Sequence, residues 1–377
     1  MPSYALSTVP DAPVAPDGNL RIGAYRGALD EVRWGYPTGW LDGQVKRALG
    51  RKRWFSAGVF SQDRVIIVRI LDQGLVGSGL IWVADLKTGK TELEHRFFGV
   101  PLANLAVGPV AGRGAHAFIT LPTARLFIRR DPSASAWSIE AQLPGHALSM
   151  TLDTRSAPSP LTVIGEFREH SSVPAPSRGL LISRHVGLEA RGTIRFRSEI
   201  QSIPNEARGF LEYGNGFFVS PDANEVPAEH EVAWSSALVS EVRTRPLEDT
   251  VPVVPFVRPW ALASDLATFG DSGESAIWSH GDVRPVGPVT LSGDPSDRRP
   301  WSMTSSSGEL ALTFQPRCMS IEETRPPALL NRVRPAANAI SMRHALIAGH
   351  FEGRLQTPDG PVDVMAVGLC EARSFGL

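Results

Sequence analysis

Short apolar stretches bounded by glycine, proline or aspartate recur about every ten residues from Trp54 onward. The run 64–71 is too apolar for a strand with one exposed face, which indicates a strand buried on both faces. A second strand fits 79–86, and the Thr88-Gly89 pair supplies a hairpin turn into a third strand at 91–97. Short strands separated by regular turns are typical of an antiparallel sandwich or barrel.

The composition supports an all-β chain with more than one domain. Glycine (35) and proline (31) make up about a sixth of the 377 residues, too many helix breakers for a helical bundle. A single hydrophobic core rarely serves more than about 250–300 residues, so two domains are expected. We predict two all-β domains, each an antiparallel sandwich or barrel, with few short helices. The predicted parts are a loose leader at 1–20, one β domain at 21–175, a second β domain at 176–377, and short helices near 26–50 and 326–340.

Charge and cysteine content exclude several classes of partner. The formal net charge of −1 gives no reason to expect a nucleic-acid partner. Cys318 and Cys370 are too few for a disulfide framework or a zinc ribbon, and we expect two unpaired buried thiols rather than one bridge. The N-terminus lacks the basic region of a secretory signal, and no window approaches about 18 uninterrupted apolar residues. We therefore expect a cytoplasmic protein without an integral membrane segment.

Familiar catalytic motifs are absent from the sequence. It contains no Gly-x-Ser-x-Gly elbow, no P-loop and no His-Glu-x-x-His metal motif. Gly74, Gly77 and Gly79 lie in a strand-rich run that no helix follows, unlike a dinucleotide-binding fingerprint. We expect neither an organic cofactor nor a metal ion.

Carboxylates and aromatic residues are the remaining candidates for chemistry. Asp72 and Glu371 each end an apolar run, and Glu274 precedes the Ile277-Trp278 pair. A carboxyl group held among apolar groups has a raised pKa and can act as an acid near neutral pH, although each of the three also fits a turn cap or a buried hydrogen-bonding partner. Tryptophans can line the cavity of a small barrel or simply fill its core. The catalytic candidates are Glu274 and Asp72, and the substrate-binding candidates are Trp82, Trp234, Trp278, His280, Trp301 and Glu371.

Several ordered segments resemble one bacterial family. Lys52-Arg-Trp-Phe55 and Ile81-Trp-Val-Ala-Asp85 resemble blocks in the N-terminal half of the DUF2804 family. Glu274-Ser-Ala-Ile-Trp278 with Gly281 resembles its Glu-Asn-x-x-Trp-x-x-Gly motif, with Ser275 in place of the asparagine. The likeness spans roughly residues 46–371 and is shared distantly with the AttH, carotenoid hydratase and tocopherol cyclase group. The resemblance implies two lipocalin-like barrels and cofactor-free chemistry on apolar polyene or polyketide substrates.

Three functional hypotheses follow. The first is a cofactor-free enzyme acting on an isoprenoid or polyketide-like molecule, in which Glu274 or Asp72 protonates an alkene or carbonyl. Tryptophan faces would stabilise the developing cation, which water (hydration) or an internal double bond (cyclisation) then captures. The second is a lipocalin-like carrier of an apolar ligand without turnover. The third is a carbohydrate-active protein with tryptophan platforms and two carboxylates.

Overall fold

The computed structural model describes most of the chain, and the regular structure of the described residues consists of β-strands without a helix. The described residues are 6–34, 51–74, 76–101, 103–166, 179–217, 231–239, 254–257, 276–279, 282–285, 289–292, 298–324, 341–357 and 360–376. The all-β prediction is confirmed. Of the two predicted helices, residues 26–34 form no helix, and the remainder of the first and the whole of the second lie outside the described residues. No helix long and apolar enough to cross a membrane occurs in the described part.

The first 15 strands form one sheet. They are β1 (Ser7–Thr8), β2 (Gly23–Arg26), β3 (Arg51–Phe60), β4 (Arg64–Asp72), β5 (Gly77–Asp85), β6 (Lys90–Gly99), β7 (Leu105–Val107), β8 (His116–Thr120), β9 (Arg125–Arg129), β10 (Ala136–Leu143), β11 (His146–Asp153), β12 (Leu161–Glu166), β13 (Gly179–Phe196), β14 (Glu199–Ser202) and β15 (Arg208–Phe217).

The first sheet curls into an antiparallel barrel. Its main path runs β6-β5-β4-β3-β15-β13-β11-β10-β9-β8-β7, so its two ends are β6 and β7. The ends approach each other: a Cβ atom added at Gly99 would lie 3.0 Å from Leu105 and 2.8 Å from Ile119. The apolar side chains on the concave face, from Phe55 to Tyr213, form one buried cluster. We call this sheet the first barrel.

The second sheet contains nine strands in the order β19-β18-β17-β16-β24-β23-β22-β21-β20. They are β16 (Glu231–Val239), β17 (Val254–Val257), β18 (Ala276–Ser279), β19 (Asp282–Pro285), β20 (Val289–Ser292), β21 (Trp301–Ser305), β22 (Leu310–Thr324), β23 (Ser341–Thr357) and β24 (Gly360–Gly376). All its pairings are antiparallel. One of its faces carries a separate apolar cluster that includes Trp301 and Phe314.

The two sheets pack directly against each other. Successive side chains of β3, β4 and β5 point alternately into the barrel interior and toward the second sheet, so both faces of these strands are buried. Trp54 and Trp82 on the outer face share a cluster with Trp278 and Leu346 of the second sheet. This packing explains the continuous apolar run at 64–71, because a strand covered on both sides does not alternate in polarity.

The division between the sheets falls later than the predicted boundary at 175/176. Strand β13 pairs with β11, β12 and β15, so the first barrel extends to Phe217. Two residues of the predicted leader also belong to this sheet, since Ser7 and Thr8 pair with β2, and Val14 is buried in the core of the same barrel. An extended, proline-containing segment can add to a sheet edge where ladder donors are not required.

Candidate functional site

His185 lies inside the first barrel at a break in β13. Alternate side chains of β13, such as those of Leu181 and His185, point into the barrel. A β-bulge between His185 and Leu188 ends this alternation. The imidazole is 6% exposed, and in the described structure its Nε2 atom has no hydrogen-bond partner. Burial, assisted by the nearby positive charge of Arg130, lowers the pKa of His185 to about 4. The side chain is therefore a neutral imidazole at pH 7.

Trp137 of β10 faces His185 across the same interior. The two ring centroids lie 6.3 Å apart in an edge-on arrangement. Trp137 is fully buried, and its indole Nε1 also lacks a hydrogen-bond partner among the described residues. The Arg130 guanidinium carbon lies 5.8 Å from the centre of the indole ring, and the Phe55 ring centroid lies 5.5 Å away on another side. We call this arrangement the His185–Trp137 corner: an aromatic part of the interior in which two polar atoms have no hydrogen-bond partner among the described residues.

Tyr213 and Asn215 of β15 form a second polar group in the interior, and the polar atoms of this group are hydrogen-bonded. The Tyr213 hydroxyl donates to the Gly108 carbonyl oxygen at 3.3 Å and accepts from Asn215 Nδ2 at 2.8 Å. Asn215 Oδ1 accepts from Trp34 Nε1 at 3.2 Å. Burial raises the pKa of Tyr213 to about 12, so the phenol stays neutral. The Phe55 ring lies 4.8 Å from that of Tyr213 and thus separates this group from Trp137.

Asp72, a predicted acid, lies at the end of β4 and is 5% exposed. Its carboxylate accepts from Arg53 Nη2 at 3.0 Å and from the Gly74 backbone N–H at 2.9 Å. Across β15 and β3, the residue of β4 that lies level with His185 is Val68. Asp72 lies four residues further along β4 than Val68. Four residues of strand correspond to about 13 Å, so the structure does not bring Asp72 and His185 into contact.

Trp82 and Trp278 lie together between the two sheets, not inside either one. The Trp82 Nε1 donates to Thr91 Oγ1 at 3.1 Å, and the Trp278 Nε1 donates to the Ser159 carbonyl oxygen at 3.0 Å. Both rings are fully buried. These contacts describe packing residues that join the sheets, and a substrate-binding role for either remains a prediction.

Of the other predicted residues, Trp301 belongs to a different cluster from this pair. Trp301 lies in the second sheet's own cluster, with its ring centroid 5.7 Å from that of Phe314, and its indole Nε1 has no hydrogen-bond partner within the described residues. Trp234 lies in β16, but its side chain is outside the description. Glu274 and His280 lie outside the described residues altogether.

Glu371 belongs to a buried polar row between the sheets. It binds Arg69 of β4 with an N–O distance of 2.6 Å, and Arg69 Nε also donates to Ser56 Oγ at 2.9 Å. In the sheet order β4-β3-β15-β13, Glu212 of β15 binds Arg184 of β13 with an N–O distance of 2.8 Å. Ser56 pairs in register with both Arg69 and Glu212, which places the four first-barrel residues in one row.

Sequence reasoning missed this row and the His185–Trp137 corner. A signal for the row was present, because Arg69 interrupts the apolar run 64–71 and Arg184 interrupts another at 180–185. A charge on a strand buried on both faces requires a partner. No comparable signal marks His185, whose inward direction depends on the register of β13. Groups of three or more metal-ligating side chains do not occur among the residues described.

The solved structures that this chain resembles include two of low identity. Kievitone hydratase from Nectria haematococca is 12% identical with a TM-score of 0.46, and the alignment covers 95% of this chain and 97% of that one. A protein assigned as AttH from Nitrosomonas europaea is 13% identical with a TM-score of 0.47, covering 89% of this chain and 97% of that one. No curated protein matches the sequence.

The family comparison concerns the first barrel. The match to DUF2804, described as a domain of unknown function, covers residues 8–225, so the predicted blocks between Glu274 and Glu371 lie beyond it. The matched range includes strands β2 to β15 of the first barrel, together with His185, Trp137 and Asp72. Because the match extends over more than half of the sequence, the chain belongs to the DUF2804 family.

Proposed function

We propose that this protein is a cofactor-free enzyme that binds a lipophilic small molecule inside the first barrel and hydrates, cyclises or isomerises it by acid–base chemistry. The substrate class is an isoprenoid or polyketide-like compound, with Glu274 and Asp72 as the acid–base candidates. The reaction needs a protonating group, an aromatic environment for the developing positive charge, and exclusion of bulk water.

One observation carries the proposal: the aromatic interior of the first barrel holds two buried polar atoms that no described protein group satisfies. These are His185 Nε2 and Trp137 Nε1. Buried polar atoms in folded proteins are nearly always hydrogen-bonded, so an exception in an apolar interior favours a binding site. The surrounding side chains, Phe55 among them, give the apolar and aromatic surface that such a ligand requires.

The experiment compares purified wild-type protein with Glu274→Gln and Asp72→Asn variants after incubation with a lipid extract of the source organism. Untargeted mass spectrometry should reveal a compound that gains the mass of one water, or changes retention at constant mass, with wild type only. Asp363→Asn is the matched control, because that carboxylate is 70% exposed and lies in β24 of the second sheet. Full turnover in both acid variants would contradict the assignment of the acids.

The second candidate function is a carrier without turnover. The contacts of Asp72 favour it, since Arg53 and the Gly74 N–H already occupy the carboxylate. The same extract distinguishes the two functions. A carrier would retain one apolar compound through purification in wild type and in both acid variants, and no product would form.

A further inference from the structure

The His185–Trp137 corner restricts the chemistry of the group that fills it. An indole N–H only donates hydrogen bonds, so the partner of Trp137 Nε1 must be an acceptor. The neutral imidazole of His185 also donates from Nε2 in the tautomer that carries its hydrogen there. The ring centroids are 6.3 Å apart, so the two donors belong to the same part of the barrel interior.

Charge in the neighbourhood indicates which acceptor is favoured. Arg130 is the charged group that acts on His185, and its guanidinium lies over the Trp137 ring. This positive charge disfavours a cationic ligand. It favours an oxygen that carries partial negative charge, as a polarised carbonyl does. Arg130 Nε already donates to the Ala134 carbonyl oxygen, and its charge also interacts with that of Asp30. A full carboxylate would therefore compete with Asp30 for the same charge.

We propose that His185 and Trp137 bind the carbonyl oxygen of an otherwise apolar ligand inside the first barrel. The inference rests on the proposed function, because it names the polar group of the same ligand. The two N–H groups orient the carbonyl and polarise it, and the aromatic interior accommodates the hydrocarbon part. In an enzyme this polarisation activates a conjugated ketone, and in a carrier it selects ketones over hydrocarbons.

The test uses three naphthalenes of matched shape as probes: 2-acetylnaphthalene, 2-ethylnaphthalene and 2-naphthoate. Binding to the full chain is measured by equilibrium dialysis for wild type, Trp137→Phe and His185→Phe. Wild type should bind the ketone about 10-fold more tightly than the hydrocarbon, since a buried donor left without a partner costs about one hydrogen bond. Each variant should lose most of that preference while still binding the hydrocarbon. The bound ketone should also show a carbonyl stretch shifted to lower frequency in wild type only.

Trp54→Phe is the matched control, because the Trp54 Nε1 already donates to Glu212 between the sheets. It should leave the ketone preference unchanged. Equal binding of ketone and hydrocarbon by wild type would overturn the carbonyl inference and leave the proposed function standing. Tighter binding of 2-naphthoate than of the ketone would overturn it in favour of an anion site. Failure of all three probes to bind would contradict both proposals. Thermal unfolding of each variant identifies loss of fold, and the carbonyl frequency in wild type tests the inference without any substitution.

Discussion

Arg69 and Glu371 form an ion pair at 2.6 Å between the two sheets, although 302 residues separate them in sequence. Their side chains are 5% and 11% exposed, so the pair is buried. Removing one partner takes the 2.6 Å ion pair away from a charge that remains buried in the interface, which costs free energy. Replacing both by apolar groups of similar size removes that penalty.

A double-mutant cycle tests this relationship. Arg69→Met and Glu371→Leu should each lower the free energy of unfolding by about 3–5 kcal/mol, whereas the double variant should lose much less than the sum. Urea unfolding of the four proteins measures the coupling. The exposed pair Arg354–Asp363 is the control, and its single variants should have the same free energy of unfolding as wild type. Additive losses at Arg69 and Glu371 would show that the pair does not couple the sheets.

The sequence predicted features that depend on neighbours along the chain. The hairpin from β5 to β6 is confirmed, since the turn at Thr88-Gly89 is local and Gly89 has a φ of 69°. The pattern predicts strands at 137–143 and 161–168 and none between them, yet β11 lies there, and its Leu148, Met150 and Leu152 alternate inward as the sequence could have indicated. The sequence pattern predicts two strands, at 180–185 and 192–199, where the structure has the single strand β13. Its bulge and Gly187, with a φ of 67°, interrupt the alternation without ending the strand.

The candidate site depended on contacts that no local pattern contains. The partner of Arg69 lies in the last strand, and the inward direction of His185 follows from the register of β13. Glu371 was singled out because it ends an apolar run, and the same burial that made it a candidate places it in an ion pair. Sequence reasoning thus found buried polar residues. It could not tell which of these residues already had a hydrogen-bond or ion-pair partner.

Both cysteines should be unreactive in the folded protein. Cys318 and Cys370 are free and buried, as expected. Burial raises the pKa of Cys318 to about 11 and that of Cys370 well above its usual value, so little thiolate exists at pH 8. An aromatic disulfide reagent such as DTNB should release about two equivalents of its chromophore per chain in urea and almost none in native buffer. Rapid reaction in native buffer, or none in urea, would contradict the prediction.

Gly214 of β15 provides the space for Trp54, whose Nε1 donates to Glu212 at 2.8 Å. A Cβ atom at position 214 would overlap the Trp54 ring. Gly214→Ala should therefore lower the free energy of unfolding by about 1–3 kcal/mol, because the indole must move within a closely packed interface. Gly308→Asn is the control: nothing lies within 4 Å of an added Cβ there, and asparagine tolerates its φ of 73°. Equal stability of both variants in urea unfolding would refute the close packing of Trp54 on β15.

The last prediction concerns acid stability and His185. Its pKa is about 4 in the folded protein and about 6.5 in the unfolded chain, so between these pH values only the unfolded state binds the proton. The free energy of unfolding should fall as the pH drops from 6.5 to 4, by a His185 contribution on the order of 3 kcal/mol. His185→Phe should lose that part of the pH dependence. Trp137→Phe, which keeps the imidazole buried, should retain it. Urea unfolding at pH 7 and pH 5 gives the comparison, and identical pH dependence of wild type and His185→Phe would show that the imidazole is not held neutral by the barrel interior.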